Sequence, residues 1–405
     1  MNTSLQHKKI YLDYASSTPV DEEVLTYMNS IQTGFYGNAQ AIHSQGRDAA
    51  VLLDTARKTV AEALHAHTDE IIFTSGGTES DNIAIMGVVL EYKKNFPNRV
   101  PHILVSSIEH PAVIEVVLQL QKLGIIELDA IPVDAIGIVD VSACKKLIKD
   151  NTILVSVIHA NNEIGTIQPV EEIAKVIRHY KKHRTEVEDS LTSYPLFHTD
   201  ACQSFVYEKI KVESLGVDLL TINSSKIYGP KGAGALFIKR RTPIHAVFFG
   251  GSQENHIRPG TENVPLIASF AKAISINEAS KESESSRIAL LRDQLKKGLE
   301  ELFPELIYNG DATHRLPNNM NITIPGIKSE QLVIYADSFG IALSEKSACK
   351  TDVSGLSHVI LALRQADGKI QTEEEGSIRF SLGKMTTDED IKEVLLRFKE
   401  IKALL

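Results

Sequence analysis

The 405-residue chain has no excess of positive charge: 43 lysines and arginines stand against 52 aspartates and glutamates, a net charge of −9. Nucleic-acid binders draw much of their affinity from a basic domain or stripe that neutralises phosphate, and neither the total nor any long run here is basic. Nucleic acid is therefore not expected as a partner. No apolar stretch approaches the roughly 20 residues that a membrane helix needs, so no membrane is expected either. The opening stretch MNTSLQHKKIYLDY lacks the apolar core of a signal peptide, and the cytoplasm is the expected compartment. Cysteine is scarce: Cys144, Cys202 and Cys349 are an odd number, too few for a disulfide framework and not spaced as a zinc site. A cysteine that matters here should matter as a reactive thiol. Internal repeats and low-complexity tracts are also missing. What remains is ordinary globular composition, 43% hydrophobic and 23% charged, at a length that suggests two or three domains of roughly 100–200 residues each.

From about residue 48 to 260, short β-rich apolar runs alternate with helical patterns. The clearest runs are EIIFTS (70–75), HILVSS (102–107), ILVSVIHA (153–160), LFHTDA (196–201) and LLTINSS (219–225). Such alternation predicts βαβ units in an α/β fold, with a mainly parallel sheet and helices on both faces. Segment 110–123 spaces Val113, Val116, Val117, Leu120 and Leu123 as one crossover helix would. Residues 264–303 read as helical nearly throughout, as a linker helix between domains would, which places a boundary near residue 275. The runs LPNNMNITIP and SIRFSLG (377–383), an apolar helix around 330–339 and a closing amphipathic helix from about 387 then predict a smaller α+β domain. The expected division is a large domain over 19–275 and a small one formed by 1–18 and 276–405. Residues 181–194 are polar and irregular and read as a surface loop.

In an open parallel sheet, ligands bind outside the carboxyl ends of the strands, and the residues at those ends are distinctive. After the first run come Ser75-Gly76-Gly77-Thr78, with a helix expected from Glu79. Glycines, a hydroxyl and free amides at a helix N-terminus make a phosphate cup, although a plain strand-to-helix turn would have the same sequence. The following strands end at Glu109-His110-Pro111, Asn161-Asn162-Glu163, Asp200-Ala201-Cys202-Gln203 and Asn223-Ser224-Ser225-Lys226. Singly, His110 could be a helix cap, Asp200 a turn residue and Lys226 a solvated charge. Together they put a phosphate cup, an imidazole, a carboxylate and a lysine at one edge of one sheet. Pyridoxal 5′-phosphate requires that set: a lysine for its Schiff base, an acidic partner for its ring nitrogen and anchors for its phosphate.

With these landmarks the chain resembles the cysteine desulfurases, fold-type-I pyridoxal-phosphate enzymes that supply sulfur for iron–sulfur clusters and related products. The likeness runs through YLDYASSTPVD (11–21), TSGGTESDN (74–82), HANNEIGTIQP (159–169), HTDACQS (198–204), SKIYGPKGAGAL (225–236), RPGTEN (258–263), SACK (347–350) and SIRFSLG (377–383), in the family's order. The resemblance implies Lys226 as the Schiff-base lysine and Asp200 as the partner of the ring nitrogen. It implies Gln203 at the phenolic oxygen, and Gly77, Thr78, Asn223 and Ser225 around the phosphate. Thr261 would reach across from the partner of a homodimer. His110 would stack on the ring and move protons, Asn162 and Arg379 would grip the substrate carboxylate, and Cys349 would take the sulfur of L-cysteine as a persulfide, leaving L-alanine. A sulfur-acceptor or iron–sulfur scaffold protein is the implied partner, and cluster assembly or transfer-RNA thiolation the implied use. No metal is implied. Cys144 and Cys202 are expected to be structural. The chain departs from the family at Ser225, where histidine is usual, at Asn223, where serine is usual, and at Lys346, where glycine is usual; Lys350 follows Cys349 directly. Another fold-type-I enzyme, such as a selenocysteine lyase or an aminotransferase, is the alternative within the fold, and a non-catalytic binding platform the alternative outside it.

Overall fold

The computed structural model describes residues 8–183, 193–345, 357–368 and 376–405. Along the chain, the strands are β1 (Ile10–Tyr11), β2 (Ile71–Thr74), β3 (His102–Ser106), β4 (Glu127–Ile131), β5 (Thr152–Ser156), β6 (Leu196–Asp200), β7 (Leu219–Asn223), β8 (Gly234–Ile238), β9 (Ile307–Asn309), β10 (Asn319–Thr323), β11 (Ile341–Ala342) and β12 (Ser377–Ser381). The helices are α1 (Glu22–Gly34), α2 (Ser44–Leu64), α3 (Gly77–Asn95), α4 (Pro111–Lys122), α5 (Val141–Leu147), α6 (Val170–His183), α7 (Val212–Leu215), α8 (Val264–Leu302), α9 (Ser329–Ser338), α10 (His358–Ala366) and α11 (Asp388–Lys402).

Seven strands form the main sheet in the order β2-β8-β7-β6-β5-β3-β4. Pairing is parallel except at β8, which runs antiparallel to both β2 and β7. Successive side chains of a strand face opposite sides of the sheet, and here both sides are apolar. Phe73, Leu104, Val155, Phe197, Leu220 and Phe237 pack into one core, while their neighbours Ile72, Ile103, Leu154, Leu196, Leu219 and Leu236 pack into another. Strands covered on both faces read as continuous apolar runs, which is why β2, β3, β5, β6 and β7 were legible in the sequence. Edge strand β4 (ELDAI) has only Ile131 fully buried, so it lacks that signature, and β8 begins in the glycine-rich KGAGAL stretch.

A third core gathers Ile10 and Leu12 with Ile288, Leu291, Leu295 and Leu299 of α8, Met320 and Ile322 of β10, Phe380 of β12 and Phe398 of α11. The 39-residue α8 connects the cores. Its first half gives Ile267, Phe270 and Ile274 to the main-sheet core and its second half builds the third. Residue 275, where the boundary was expected, lies inside this unbroken helix. The chain's start joins the third core too, since β1 pairs in parallel with β11 and Asp13 bridges Ser381.

Gly234 shows how tightly the sheet meets the turn before α3. It pairs with Thr74 on one side and Asn223 on the other, and a Cβ there would sit 2.7 Å from the Gly76 Cα and 3.0 Å from the Ile222 carbonyl oxygen. Backbone cannot give way as a flexible side chain can. Gly234→Ala is expected to destabilise the protein by about 1–3 kcal/mol through overpacking, measured by denaturant unfolding; an unchanged midpoint would show that the Gly76 turn is soft.

Candidate active site

The carboxyl ends of β2, β3, β5, β6 and β7 open on one cavity of about 210 Å³, lined by Gly77, Thr78, His110, Asn162, Asp200, Gln203, Asn223, Lys226 and Arg379. Nine of the expected site residues are thus brought together from six separate stretches of chain. Ser225 is beside the cavity without lining it: its N–H and hydroxyl donate to Asn223 Oδ1 at 3.2 and 3.3 Å. Thr261 lies apart, in an open groove with Phe248, Phe249 and Arg258. Cys349, Lys346 and Lys350 lie outside the described residues, as does most of the expected 181–194 loop.

The phosphate cup begins earlier than expected. α3 starts at Gly77, two residues before Glu79, with Gly76 as its N-cap at φ 151° and no side chain capping the helix. The first amides of a helix have no intrahelical partner, so this end offers N–H groups and the positive end of a 19-residue helix. A Cβ at Gly77 would come within 3.0 Å of Cys202 Sγ, so glycine keeps the approach open. On the next strand end, His110 caps α4: its Nδ1 accepts from the Ala112 N–H at 3.1 Å, with Pro111 preset for the first helical position. Burial lowers the pKa of His110, so the ring is neutral, and with Nδ1 accepting, its proton sits on Nε2.

Asp200 Oδ1 accepts from the Cys202 N–H at 2.9 Å. Lys226 Nζ donates to the Ala15 and Ser16 carbonyls at 2.8 and 2.7 Å, and Gln203 Nε2 donates to Ala15 at 2.9 Å. Burial lowers the pKa of Lys226, which favours the neutral amine that Schiff-base chemistry needs. Arg379, 2% exposed, donates from Nη2 to Asp13 Oδ1 at 2.8 Å and from Nη1 to the Asn162 carbonyl at 3.0 Å.

Ala15, Ser16, Asp81, Ile158 and Cys202 also line the cavity. The strand-end rule missed Ser16 because it enters from the chain's start. It missed Asp81 because that residue sits one helical turn into α3, four positions after Gly77 and hence on the same face. Both Asp81 carboxylate oxygens are buried without a hydrogen bond, and Oδ1 is 3.5 Å from His198 Nε2. Burial, then the nearby Asp200, pushes the pKa of the Asp81 carboxyl well above the usual carboxylate range. Cys202 is likewise kept as a thiol by burial, in keeping with a structural part, and Cys144 is fully buried in α5, its thiol pushed up to about 12.

Asp81, His110 and Asp200 each bring one ligand-capable atom within 4.8 Å of the others. Lys226 and Arg379 share their cavity, however, and an amine and a guanidinium beside an amide-rich helix end suit an anionic organic cofactor better than a metal ion. The donor set fits pyridoxal phosphate: an amine in Lys226, a buried carboxylate in Asp200 and the open amides of the α3 N-terminus line the same cavity.

Fold and cavity together define a fold-type-I pyridoxal-phosphate enzyme. Comparison with known proteins narrows the class: residues 10–394 match the aminotransferase class-V family model, and the chain belongs to that family. It is 40% identical over 389 residues to the cysteine desulfurase IscS of Dictyoglomus turgidum, covering 96% of this chain and 93% of that protein. It is 39% identical to cysteine desulfurase IscS 1 of Archaeoglobus fulgidus, covering 95% and 94%. A solved NifS-like protein superposes with a TM-score of 0.87 at 32% identity, over 98% of this chain and 100% of that one.

Glu109, beside His110, yields a test of the local electrostatics. Its Oε1 accepts from Ser106 Oγ at 2.5 Å and from the Ile158 N–H at 2.6 Å, Oε2 is buried without a partner, and burial pushes its pKa up to about 8. A carboxyl raised in the folded state contributes stability that is full below its unfolded pKa of about 4.5 and is lost as pH rises through about 8. Urea unfolding from pH 5 to 9 should therefore show Glu109→Gln losing less stability than the native protein, by up to about 4 kcal/mol. Parallel pH profiles would mean that Glu109 ionises like an exposed carboxylate.

Proposed function

We infer that this chain is a cysteine desulfurase, converting L-cysteine to L-alanine and passing the sulfur through Cys349 to an acceptor protein for iron–sulfur cluster assembly or transfer-RNA thiolation. The observation that carries the reading is the meeting of Lys226, Asp200 and the buried Arg379 in one cavity. Lys226 would hold the cofactor through Nζ and, as a free amine, would take the substrate's α-proton at that atom. Asp200 would hold the proton on the ring nitrogen. Gln203 would donate to the phenolic oxygen, while Gly77, Thr78, Asn223 and Ser225 would hold the phosphate, serine and asparagine donating where histidine and serine are usual. His110 would stack on the ring and move a proton at Nε2. Asn162 and Arg379 would grip the substrate carboxylate, arginine because its guanidinium is a permanently charged, rigid donor. Pyridoxal phosphate supplies the electron sink that makes the substrate's Cβ–S bond labile. The Cys349 thiolate attacks the substrate sulfur, the S–S bond forming as the C–S bond breaks, and the persulfide is reversible by a thiol or reductant.

A homodimer belongs to this reading, with Thr261 facing the partner's cavity; Phe249, 80% exposed, and Phe248, 47% exposed, share its groove and would be covered by the partner. Residues 19–275 would act as the large domain, and 1–18 with 276–405 as the small one that carries Cys349. The cytoplasm suits an enzyme whose chemistry needs reduced thiols, and no described helix is long and apolar enough to cross a membrane.

The test is alanine and sulfide measured together from L-cysteine and a reductant. The native protein should be yellow and make both in equal amounts. Lys226→Ala should lose the cofactor's bound absorbance and all turnover. Cys349→Ser should keep the absorbance and its response to cysteine while alanine formation falls at least 100-fold. Alanine at the native rate from Cys349→Ser would exclude the persulfide route, and a protein that stays colourless with added pyridoxal phosphate would be a binding platform instead.

A further inference from the structure

The turn Asp13–Ser16 lies outside the strand ends yet touches both basic side chains of the cavity. Its Ala15 and Ser16 carbonyls take the Lys226 amine, while Asp13 Oδ1 and Ser16 Oγ take Arg379 Nη2 at 2.8 and 2.7 Å. The turn is itself braced: Ser16 Oγ donates to Asp13 Oδ1 at 2.9 Å, the Tyr11 hydroxyl donates to the Asp13 carbonyl at 2.9 Å, and the Ala15 N–H donates to Ser381 Oγ at 2.9 Å. A guanidinium has five N–H donors. Three are committed, to Asp13, Ser16 and the Asn162 carbonyl, which leaves one on Nη1 and the one on Nε, and Nε is buried without a partner. Among the described residues, Asp13 is the carboxylate in ion-pair contact with Arg379.

We propose that Asp13 is the positioning residue for Arg379, anchoring Nη2 so that the remaining Nη1 N–H stays aimed at the substrate's carboxylate. The proposal deepens the desulfurase reading and rests on it for the identity of the substrate. Two effects of Asp13 oppose each other. Its charge partly satisfies Arg379 and so weakens the pull on a second carboxylate, whereas its hydrogen bond fixes a planar donor whose value depends on orientation. Orientation is the larger effect: without the Asp13 acceptor, Nη2 keeps only Ser16 Oγ, which is itself braced by its hydrogen bond to Asp13 Oδ1.

The experiment uses the pyridoxal-phosphate-loaded enzyme and three ligands. Equilibrium binding of L-alanine is read from the cofactor's absorbance, KM and kcat are measured with L-cysteine, and cysteamine, which lacks the carboxylate, is the control. Asp13→Ala should weaken L-alanine binding and raise the KM for cysteine about tenfold, the scale of one charge-assisted hydrogen bond, with kcat within about threefold and cysteamine binding unchanged. Asp13→Asn keeps the acceptor and loses the charge; it should bind alanine within about threefold of the native enzyme, and it carries the test if Asp13→Ala does not fold. Unchanged alanine binding in Asp13→Ala, equal weakening of cysteamine, or a tenfold loss in Asp13→Asn would each overturn the proposal. Failure of the native enzyme to make alanine from cysteine would overturn the function instead, while the alanine comparison would still report on Asp13.

Discussion

Burial of the main sheet on both faces is the constraint from which the rest of this structure follows. With apolar cores above and below, the polar side chains along β5, β6 and β7, such as Ser156, His198 and Thr221, are buried and bonded to one another. Reactive side chains are left with the strand ends, where the backbone turns toward a helix. Strands in parallel register end at one edge, so residues separated by up to 150 positions, from Gly77 to Lys226, converge without any contact between them having to be specified locally. Antiparallel β8 adds to this by its tightness, since its first residue fits between Thr74 and Asn223 only as glycine.

Desolvation then governs the chemistry of the cavity. It raises the pKa of Asp81 and lowers those of His110 and Lys226, and in each case it is the largest cause. His159 and His198 fall to about 4 for the same reason. Two groups whose charge matters are instead held by partners. Asp200 accepts a backbone N–H, and Arg379 is paired with Asp13. Such a site holds its protons by position, so a bound anionic cofactor and a carboxylate substrate meet directed donors in place of bulk water.

Much of the fold was legible because its signals are local. Five strands showed as apolar runs, α4 as a spaced apolar stripe after His110-Pro111, and α11 as an amphipathic segment with the Thr387 and Asp390 capping box at its start. β4 was missed because an edge strand is only partly covered, and β8 because its run opens on glycines. The start of α3 was placed at Glu79 because the glycines read as loop, whereas Gly77 already lies in the helix. In the site, the residues at strand ends were found by one rule. Asp81 and Ser16 escaped it, the first lying within a helix and the second arriving with the chain's start.

By itself the sequence determined the class of fold, the order of its strands along the chain and the residue types gathered for pyridoxal-phosphate chemistry, because apolar periodicity and turn residues are properties of neighbours. It could not say which polar groups would lose water or which would find a counter-charge. Those depend on distances between segments hundreds of residues apart: Asp13 against Arg379, or the carbonyls of Ala15 and Ser16 against Lys226. Only the tertiary structure decided them, since burial and pairing arise when the chain's start, lying against β11 and β12, is brought to the open edge of the main sheet.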